Sequence, residues 1–230
     1  MKIGGLQRTT LLDYPGKVAA TIFTIGCNFR CPFCHNPELV NSTAELIDES
    51  LIFDFLNERK ILLDGICITG GEPTLQPDLY EFIKKVKEMG FLVKLDTNGG
   101  EPEILAKLID DKMLDYIAMD IKAPWEEYSR IVGKNIDIEK IKRSFQLIKN
   151  SEVDHEFRST ILPPLHPRED ILKMAQQISG AKKYYLQQFI PAAKLVDPTL
   201  HTTRPYTKKE LDGIIEEIKE QFEICELRGI

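Results

Sequence analysis

The sequence is poor in cysteine, histidine and tryptophan, and it has neither a long apolar run nor an excess of positive charge. Its 230 residues include five cysteines, four histidines and one tryptophan. So few cysteines, in an odd number, argue against a disulfide-stabilised secreted domain. No stretch approaches the roughly 20 apolar residues of a transmembrane helix. The net charge of −6 disfavours general nucleic-acid binding, which depends on the neutralisation of phosphates.

The N-terminus has no apolar segment before Arg8, so a signal peptide is not predicted. We therefore expect a cytoplasmic protein with neither a membrane nor a nucleic-acid partner. The composition, 43% hydrophobic and 29% charged, is typical of a globular chain with a sizeable core. The length corresponds to one large domain.

The hydrophobic periodicity predicts a β-hairpin followed by alternating strands and helices. The hairpin joins 3–8 to 17–24 through a turn at Pro15-Gly16. Further strands are predicted at 65–69, 91–95, 116–121, 157–162, 184–190 and 222–227. Helices are predicted at 48–56, 78–89, 101–110, 137–150, 167–178 and 207–220. Asp48 is the expected N-cap of the first helix, and Thr207 forms a capping box with Glu210 in the last.

This alternation predicts an α/β fold in which helices cover a parallel sheet. About six units follow the hairpin, too few for the eight-unit barrel of about 250 residues. We therefore expect a partial (β/α)6 barrel with an N-terminal β-hairpin. A doubly wound sheet is the alternative topology.

A polar string follows or ends each predicted strand of this barrel. The strings are Cys27 to Asn36, Thr69-Gly70-Gly71-Glu72-Pro73, Asp96-Thr97-Asn98-Gly99, Asp120-Ile121-Lys122, Arg158-Ser159-Thr160 and Gln187-Gln188. Ligands of barrels and of open α/β sheets bind at the carboxyl ends of the strands. We therefore expect all six strings to line one rim. His155, His166 and His201 lie outside them and are expected to be packing or surface residues.

Three of the five cysteines, Cys27, Cys31 and Cys34, lie close together in the first string. Three thiolates can hold three corners of a [4Fe–4S] cube, which takes four protein ligands when it is fully ligated. One iron would then stay open to an external chelator. A Cys₃His zinc site with His35 and a catalytic dithiol are the alternatives. Cys67 and Cys225 stand alone in apolar runs and are expected to be buried thiols.

The spacing Cys-x-x-x-Cys-x-x-Cys, with Phe33 before the last cysteine and Gly70-Gly71-Glu72-Pro73 after the next strand, resembles the radical S-adenosylmethionine superfamily. Cys34-His35-Asn36-Pro37, Asp96 to Gly99 and Asp120 to Lys122 resemble its glycyl-radical-enzyme activating enzymes. The string Leu11 to Lys17 resembles the anaerobic ribonucleoside-triphosphate reductase activating proteins. The resemblance implies a single domain over 1–230, with a hairpin at 1–17 and a core at 18–230.

The resemblance implies that Cys27, Cys31 and Cys34 bind a [4Fe–4S] cluster whose open iron is chelated by S-adenosylmethionine. Reductive cleavage then gives a 5′-deoxyadenosyl radical. This radical would abstract a glycine Cα hydrogen from a partner enzyme, an anaerobic ribonucleoside-triphosphate reductase by the closest resemblance. A pyruvate formate-lyase-type partner and a small-molecule substrate are the alternatives. Reduced flavodoxin or ferredoxin is the electron donor that the family implies.

The resemblance also implies contacts to S-adenosylmethionine. Glu72 would bind its ammonium, Gly70 and Gly71 would allow close backbone approach, and Asp120 and Lys122 would contact its ribose and carboxylate. Arg158 would help to hold it, and Phe33 and His35 would border the adenine. Asp96 and Asp120, with the backbone carbonyls of Thr97 and Ala118, would hold a monovalent cation, as in some activating enzymes. Gln188 would replace a histidine that pyruvate formate-lyase activators carry near the sixth strand. From the residues alone, Asp96 could instead cap a loop, Asp120 could pair with Lys122, and Arg158 could be a solvated charge.

Overall fold

Eight β-strands form one mixed sheet, in which they lie side by side in the order of the chain. The computed structural model describes residues 1–229, so Ile230, the end of the predicted core, lies outside the described residues. The strands are β1 (Ile3–Thr10), β2 (Ala19–Thr24), β3 (Gly65–Gly70), β4 (Leu92–Thr97), β5 (Tyr116–Asp120), β6 (Asp154–Ile161), β7 (Lys183–Gln188) and β8 (Ile224–Arg228). β1 is antiparallel to β2, and each later strand is parallel to the strand before it.

The sequential strand order confirms the predicted partial barrel with an N-terminal hairpin. A doubly wound sheet would reverse its strand order at a switch point, so that alternative is wrong. The strand predicted at 222–227 is β8, a seventh parallel strand. β6 begins at Asp154, three residues before its predicted start, because His155 and Glu156 point into the protein and are each 1% exposed.

Eight helices connect or flank the strands of residues 1–229. They are α1 (Pro37–Val40), α2 (Glu49–Glu58), α3 (Leu79–Glu88), α4 (Pro102–Asp110), α5 (Tyr128–Ile131), α6 (Ile138–Lys149), α7 (Arg168–Gln177) and α8 (Lys208–Ile218). The Asp48 side chain accepts the backbone N–H of Ser50, and Thr207 and Glu210 form the predicted capping box. α1 and α5 were not predicted, because a single turn has no helical periodicity to detect. No helix in this part of the chain has both the length and the apolar character needed to cross a membrane.

The two faces of the sheet differ in polarity. Alternate residues of the central strands, such as Val93 and Leu95 of β4 and Ile117 and Met119 of β5, pack into the apolar core with the helices. The residues between them point to the opposite face, because side chains alternate along a strand. We call this opposite side the inner face. It carries Cys67, Lys94, Asp96, Tyr116, Asp120, Glu156 and Arg158.

The inner face is held together by polar contacts. Glu156 accepts the Tyr116 hydroxyl at 2.9 Å and forms two hydrogen bonds with the guanidinium of Arg228 at 2.7 and 2.9 Å. Cys67 is fully buried there, as predicted. The prediction was wrong for Cys225, which is only partly buried because β8 is an edge strand.

Candidate functional site

A cavity lies at the carboxyl ends of β3, β4 and β5, under the loop that follows β2. It collects eleven of the residues predicted from the sequence: Cys27, Cys31, Phe33, Cys34, His35, Gly70, Gly71, Glu72, Asp96, Asp120 and Lys122. Seven further residues complete its lining: Phe29, Asn36, Val40, Thr69, Thr97, Asn98 and Thr160. The polar strings of β2 to β6 therefore do meet at one rim.

The loop that carries the three cysteines is fixed by backbone hydrogen bonds on both sides. The N–H of Arg30 donates to the carbonyl of Val132 at 2.8 Å. The N–H of Val196 donates to the carbonyl of Cys34 at 3.0 Å, and that of Asp197 to the carbonyl of Pro32 at 2.9 Å. The loop is thus held between the end of α5 and the segment after β7, with its thiols facing the cavity.

The three thiols of this loop are free, and all three cysteines line the cavity. Burial raises the pKa of Cys27 to about 11 and the pKa of Cys31 to about 12. Both groups are therefore protonated at neutral pH in the iron-free protein, and they must release their protons to bind a metal. Three free cysteines lining one cavity match the number of ligands for three corners of an iron–sulfur cube.

His35 does not join the cysteines in a zinc site. Its Nε2 lies 2.8 Å from the carbonyl oxygen of Ile190, and its ring stacks on Phe189 with 5.4 Å between the centroids. Among residues 1–229, no three His, Cys, Asp or Glu side chains are placed to hold a single metal ion. The geometry therefore disfavours the mononuclear Cys₃His alternative, which needs four ligands around one centre.

Gly70 and Gly71 allow two backbone segments to touch. A Cβ at Gly71 would lie 2.6 Å from the carbonyl carbon of Gly26 and closer still to its oxygen. Gly70 has φ +113°, and its Cβ would lie 2.6 Å from the carbonyl oxygen of Thr24. The Gly71 N–H donates to that same oxygen at 2.9 Å, and the Glu72 N–H donates to the carbonyl of Gly26 at 2.8 Å. The glycines thus seat the turn after β3 directly against the start of the cysteine loop.

The Glu72 carboxylate ties this turn to the end of β4. It is 1% exposed and accepts the hydroxyls of Thr74 at 2.6 Å and Thr97 at 2.8 Å, and the backbone N–H of Asn98 at 2.6 Å. Burial leaves the pKa of Glu72 above its usual value in spite of these bonds. Its Oε2 accepts only the N–H of Asn98, so one of its lone pairs can still take a donor from the cavity.

Four charged side chains form a chain of ion pairs at the ends of β4, β5 and β6. The Arg158 guanidinium lies 3.2 Å from Asp96 Oδ2 and 3.0 Å from Asp120 Oδ1, and Lys122 Nζ lies 3.0 Å from Asp120 Oδ2. Burial raises the pKa values of Asp96 and Asp120, but the positive charge of Arg158 outweighs it and leaves both pKa values below normal. Arg158 is 14% exposed and does not line the cavity, so it is not a solvated charge.

Gln188 lies outside the cavity. Its amide nitrogen donates to the carbonyl of Tyr206, and its Oε1 is buried without a hydrogen-bond partner among the described residues. Besides His35, a second histidine, the fully buried His166, contacts residues that line the cavity. Its Nε2 lies 2.8 Å from the carbonyl oxygen of Lys122, and its ring meets Phe33 edge-to-face at 5.6 Å. His166 thus contacts two lining residues without lining the cavity itself, and no sequence motif predicted this role.

Asn98 is a second residue that sequence reasoning did not single out. Its Nδ2 donates to Asn28 Oδ1 at 2.8 Å and lies 3.9 Å from the sulfur of Cys27. The side chain therefore joins the end of β4 to the cysteine loop. Asn98 belongs to the string Asp96 to Gly99, which lies at the carboxyl end of β4, and this position is the sequence feature that could have identified it.

Comparisons with known proteins agree with this geometry. The Radical SAM superfamily model matches residues 21–178. A protein of Methanocaldococcus jannaschii named as a glycyl-radical enzyme activating enzyme is 37% identical over 194 residues, which cover 82% of this chain and 80% of that protein. The pyruvate formate-lyase-activating enzyme of Clostridium pasteurianum is 30% identical over 206 residues, which cover 83% of this chain and 81% of that enzyme.

Solved structures show the same fold at low sequence identity. Streptococcus suis SuiB bound to S-adenosylmethionine has a TM-score of 0.65 and 14% identity, over 89% of this chain and 48% of that one. TYW1 with a lysine-pyruvate adduct has a TM-score of 0.62 and 16% identity, over 89% of this chain and 74% of that one.

Proposed function

Because the chain belongs to the radical S-adenosylmethionine superfamily and to its glycyl-radical-enzyme activating class, we propose that it installs a glycyl radical on an anaerobic ribonucleoside-triphosphate reductase. The observation that carries the proposal is the meeting of three free thiols and the Asp96–Asp120 ion-pair chain in one cavity. The family uses a [4Fe–4S] cluster and S-adenosylmethionine, and the donor set of this cavity fits both.

Cys27, Cys31 and Cys34 would hold the cluster, since their thiols face the cavity. When both groups are bound, the cluster and S-adenosylmethionine supply one-electron cleavage of the sulfonium to a 5′-deoxyadenosyl radical. The cysteine loop also supplies Phe29 and Phe33 to the cavity lining, so apolar side chains would lie beside the cluster.

The polar residues of the cavity would bind and orient S-adenosylmethionine. The remaining lone pair of Glu72 can accept from the ammonium. Lys122 and Asp120 also line the cavity and would contact the carboxylate and the ribose, while Arg158, which forms an ion pair with Asp120, would hold that aspartate in place. Phe33 and His35, on either side of Cys34, would border the adenine. Gly70 and Gly71 place no side chain in the cavity and would allow close approach of the ligand.

The choice of partner rests on the hairpin turn. The string Leu11 to Lys17, which resembles the reductase activators, forms the connection between β1 and β2. Leu11 and Leu12 are 70% and 90% exposed there, so this string is accessible at the surface. The similarity to the Clostridium pasteurianum enzyme favours the second candidate, a pyruvate formate-lyase-type partner. Reduced flavodoxin or ferredoxin is the proposed electron donor.

Electron paramagnetic resonance on anaerobically reconstituted, reduced protein tests the proposal. We expect a glycyl radical signal when S-adenosylmethionine and an anaerobic ribonucleoside-triphosphate reductase are added, with release of 5′-deoxyadenosine. Cys31→Ala is the control: it should lose both, because two thiolates do not hold the cube. A signal only with a pyruvate formate-lyase would favour the second candidate. Full iron loading without any 5′-deoxyadenosine would refute both.

Two wider predictions stay open to separate tests. Residues 1–17 and 18–230 are proposed to act as one domain, so a single cooperative unfolding transition should be seen by calorimetry. A cytoplasmic location is also predicted, and cell fractionation would check it.

A further inference from the structure

Lys94 is a buried cation in the middle of β4. Its side chain is 1% exposed, on the inner face of the sheet and two residues before Asp96. Its Nζ forms an ion pair with Asp96 and lies 3.7 Å from the sulfur of Cys67. Burial lowers the pKa of Lys94, but the neighbouring Asp96 carboxylate outweighs burial and leaves the pKa above its usual value. A charged ammonium is therefore built into the sheet directly behind the cavity.

The ion pairs of Lys94 complete the pairing of both acidic side chains at the rim. Asp96 Oδ1 pairs with Lys94 and Asp96 Oδ2 with Arg158. Asp120 Oδ1 pairs with Arg158 and Asp120 Oδ2 with Lys122. All four carboxylate oxygens thus already face a side-chain cation. These are the carboxylate oxygens that a monovalent cation would need as ligands beside the backbone carbonyls of Thr97 and Ala118, since hard cations take oxygen donors.

The charge balance of this group leads to the same conclusion. Four cations (Lys94, Lys122, Arg158 and Arg228) and three anions (Asp96, Asp120 and Glu156) leave this connected group with a net charge of 4 − 3 = +1. One ligand carboxylate would neutralise that charge, whereas a free monovalent cation would raise it to +2. Without Lys94 the group would be neutral, and a free cation would restore the charge of +1. The residues present therefore do not fit a bound monovalent cation.

We propose that the Lys94 ammonium takes the place of a monovalent cation beside Asp96, so that S-adenosylmethionine binding by this protein needs neither Na⁺ nor K⁺. Lys94 does not line the cavity and acts through Asp96, so it is a positioning residue. By neutralising Asp96 it leaves the group with a net positive charge next to Lys122, which lines the cavity and would contact the ligand carboxylate. The inference rests on the proposed function, since it concerns how S-adenosylmethionine is held.

Binding of S-adenosylmethionine in buffers of matched ionic strength tests the proposal. Its Kd is measured by equilibrium dialysis on cluster-loaded protein in tetramethylammonium, Na⁺ and K⁺ chloride. For the wild type we expect the same Kd in all three. For Lys94→Gln we expect a Kd about tenfold weaker in tetramethylammonium, with recovery in Na⁺ or K⁺, because a free cation can then supply the missing charge. Lys94→Arg, which keeps the charge, should bind like the wild type in every buffer.

Two results would overturn the proposal. One is a wild-type Kd that tightens when Na⁺ or K⁺ replaces tetramethylammonium. The other is a loss in Lys94→Gln that no cation restores, which would make the lysine merely structural. If Lys94→Gln fails to fold or to load iron, the comparison of the wild-type Kd in the three salts tests the proposal without the variant.

A readout without nucleotide separates this inference from the proposed function. ²³Na relaxation of the wild-type protein with its oxidised cluster should show no Na⁺ site that K⁺ displaces, and such a site would refute the inference even if S-adenosylmethionine did not bind. The proposed function fails on a different observation, the absence of 5′-deoxyadenosine in every cation.

Discussion

Gly71→Ala should disrupt the contact between the turn after β3 and the cysteine loop. The added Cβ would lie 2.6 Å from the carbonyl carbon of Gly26, whereas non-bonded carbons prefer roughly 3.5–4.0 Å. Both partners are backbone, so no side chain can rotate away and one segment must move by about 1 Å. Overpacking of this kind costs about 3 kcal/mol. The same movement displaces Gly26, the neighbour of Cys27, so iron binding should fall as well.

Urea unfolding of the iron-free protein measures the first effect, and iron content after anaerobic reconstitution measures the second. Gly213→Ala is the matched control, because Gly213 lies on the exposed side of α8 and its Cβ would meet nothing within 4 Å. That change should instead stabilise the protein by about 1 kcal/mol, the helix preference of alanine over glycine. If Gly71→Ala unfolds at the wild-type urea concentration and takes up full iron, the close-contact account of this turn is wrong.

Three further results are expected. Arg158→Met should destabilise the protein by about 3–5 kcal/mol near neutral pH, because it leaves Asp96 and Asp120 buried without their shared partner. The loss should shrink as the pH falls below about 4, because the two carboxyls then become protonated in the unfolded chain and in the variant, whereas Arg158 keeps both pKa values low in the native wild type. Urea unfolding at several pH values would contradict this if the loss were constant. Burial, together with the nearby positive charge of Lys122, lowers the pKa of His166 to about 4. The protein should therefore lose about 3 kcal/mol of stability as the pH falls from about 6.5 to 4, because the unfolded chain takes up a proton that the native state does not. His166→Gln should remove that part of the pH dependence, and an unchanged slope of stability against pH would exclude the histidine as its source.

The sequence predicted the elements whose signals are local. Asp48 and the pair Thr207 and Glu210 cap their helices as expected, because a cap depends only on residues within one turn. The alternation of strands and helices also predicted the barrel, since short crossovers leave few other arrangements. The start of β6 was missed, because Glu156 looks solvent-exposed in sequence and only the fold supplies its partners, Tyr116 and Arg228.

The sequence predicted the site residues that directly follow strands, but it did not predict residues such as Lys94 and His166 that contact the cavity lining without belonging to it. The three cysteines, Glu72 and Asp120 lie in polar strings at or just after the carboxyl ends of strands, and all of them line the cavity. Lys94 lies inside a strand, where a lysine usually indicates a solvent-facing position. Lys94 and Asp96 are two residues apart and therefore share one face of β4. Whether that face is the inner one depends on how the strands assemble, which the sequence does not show. Gln188 was placed in the site by analogy with a histidine, whereas the structure turns its side chain towards Tyr206.

The anchoring of the cysteine loop has a consequence for biosynthesis. The loop is complete only when its backbone meets Val132 on one side and Val196 and Asp197 on the other, about a hundred and more residues further along the chain. A ribosome-bound fragment that ends before these segments presents its thiols without a rigid frame. We therefore expect stable iron binding to require the chain through Asp197, so that a metallated protein is one in which this segment has already docked.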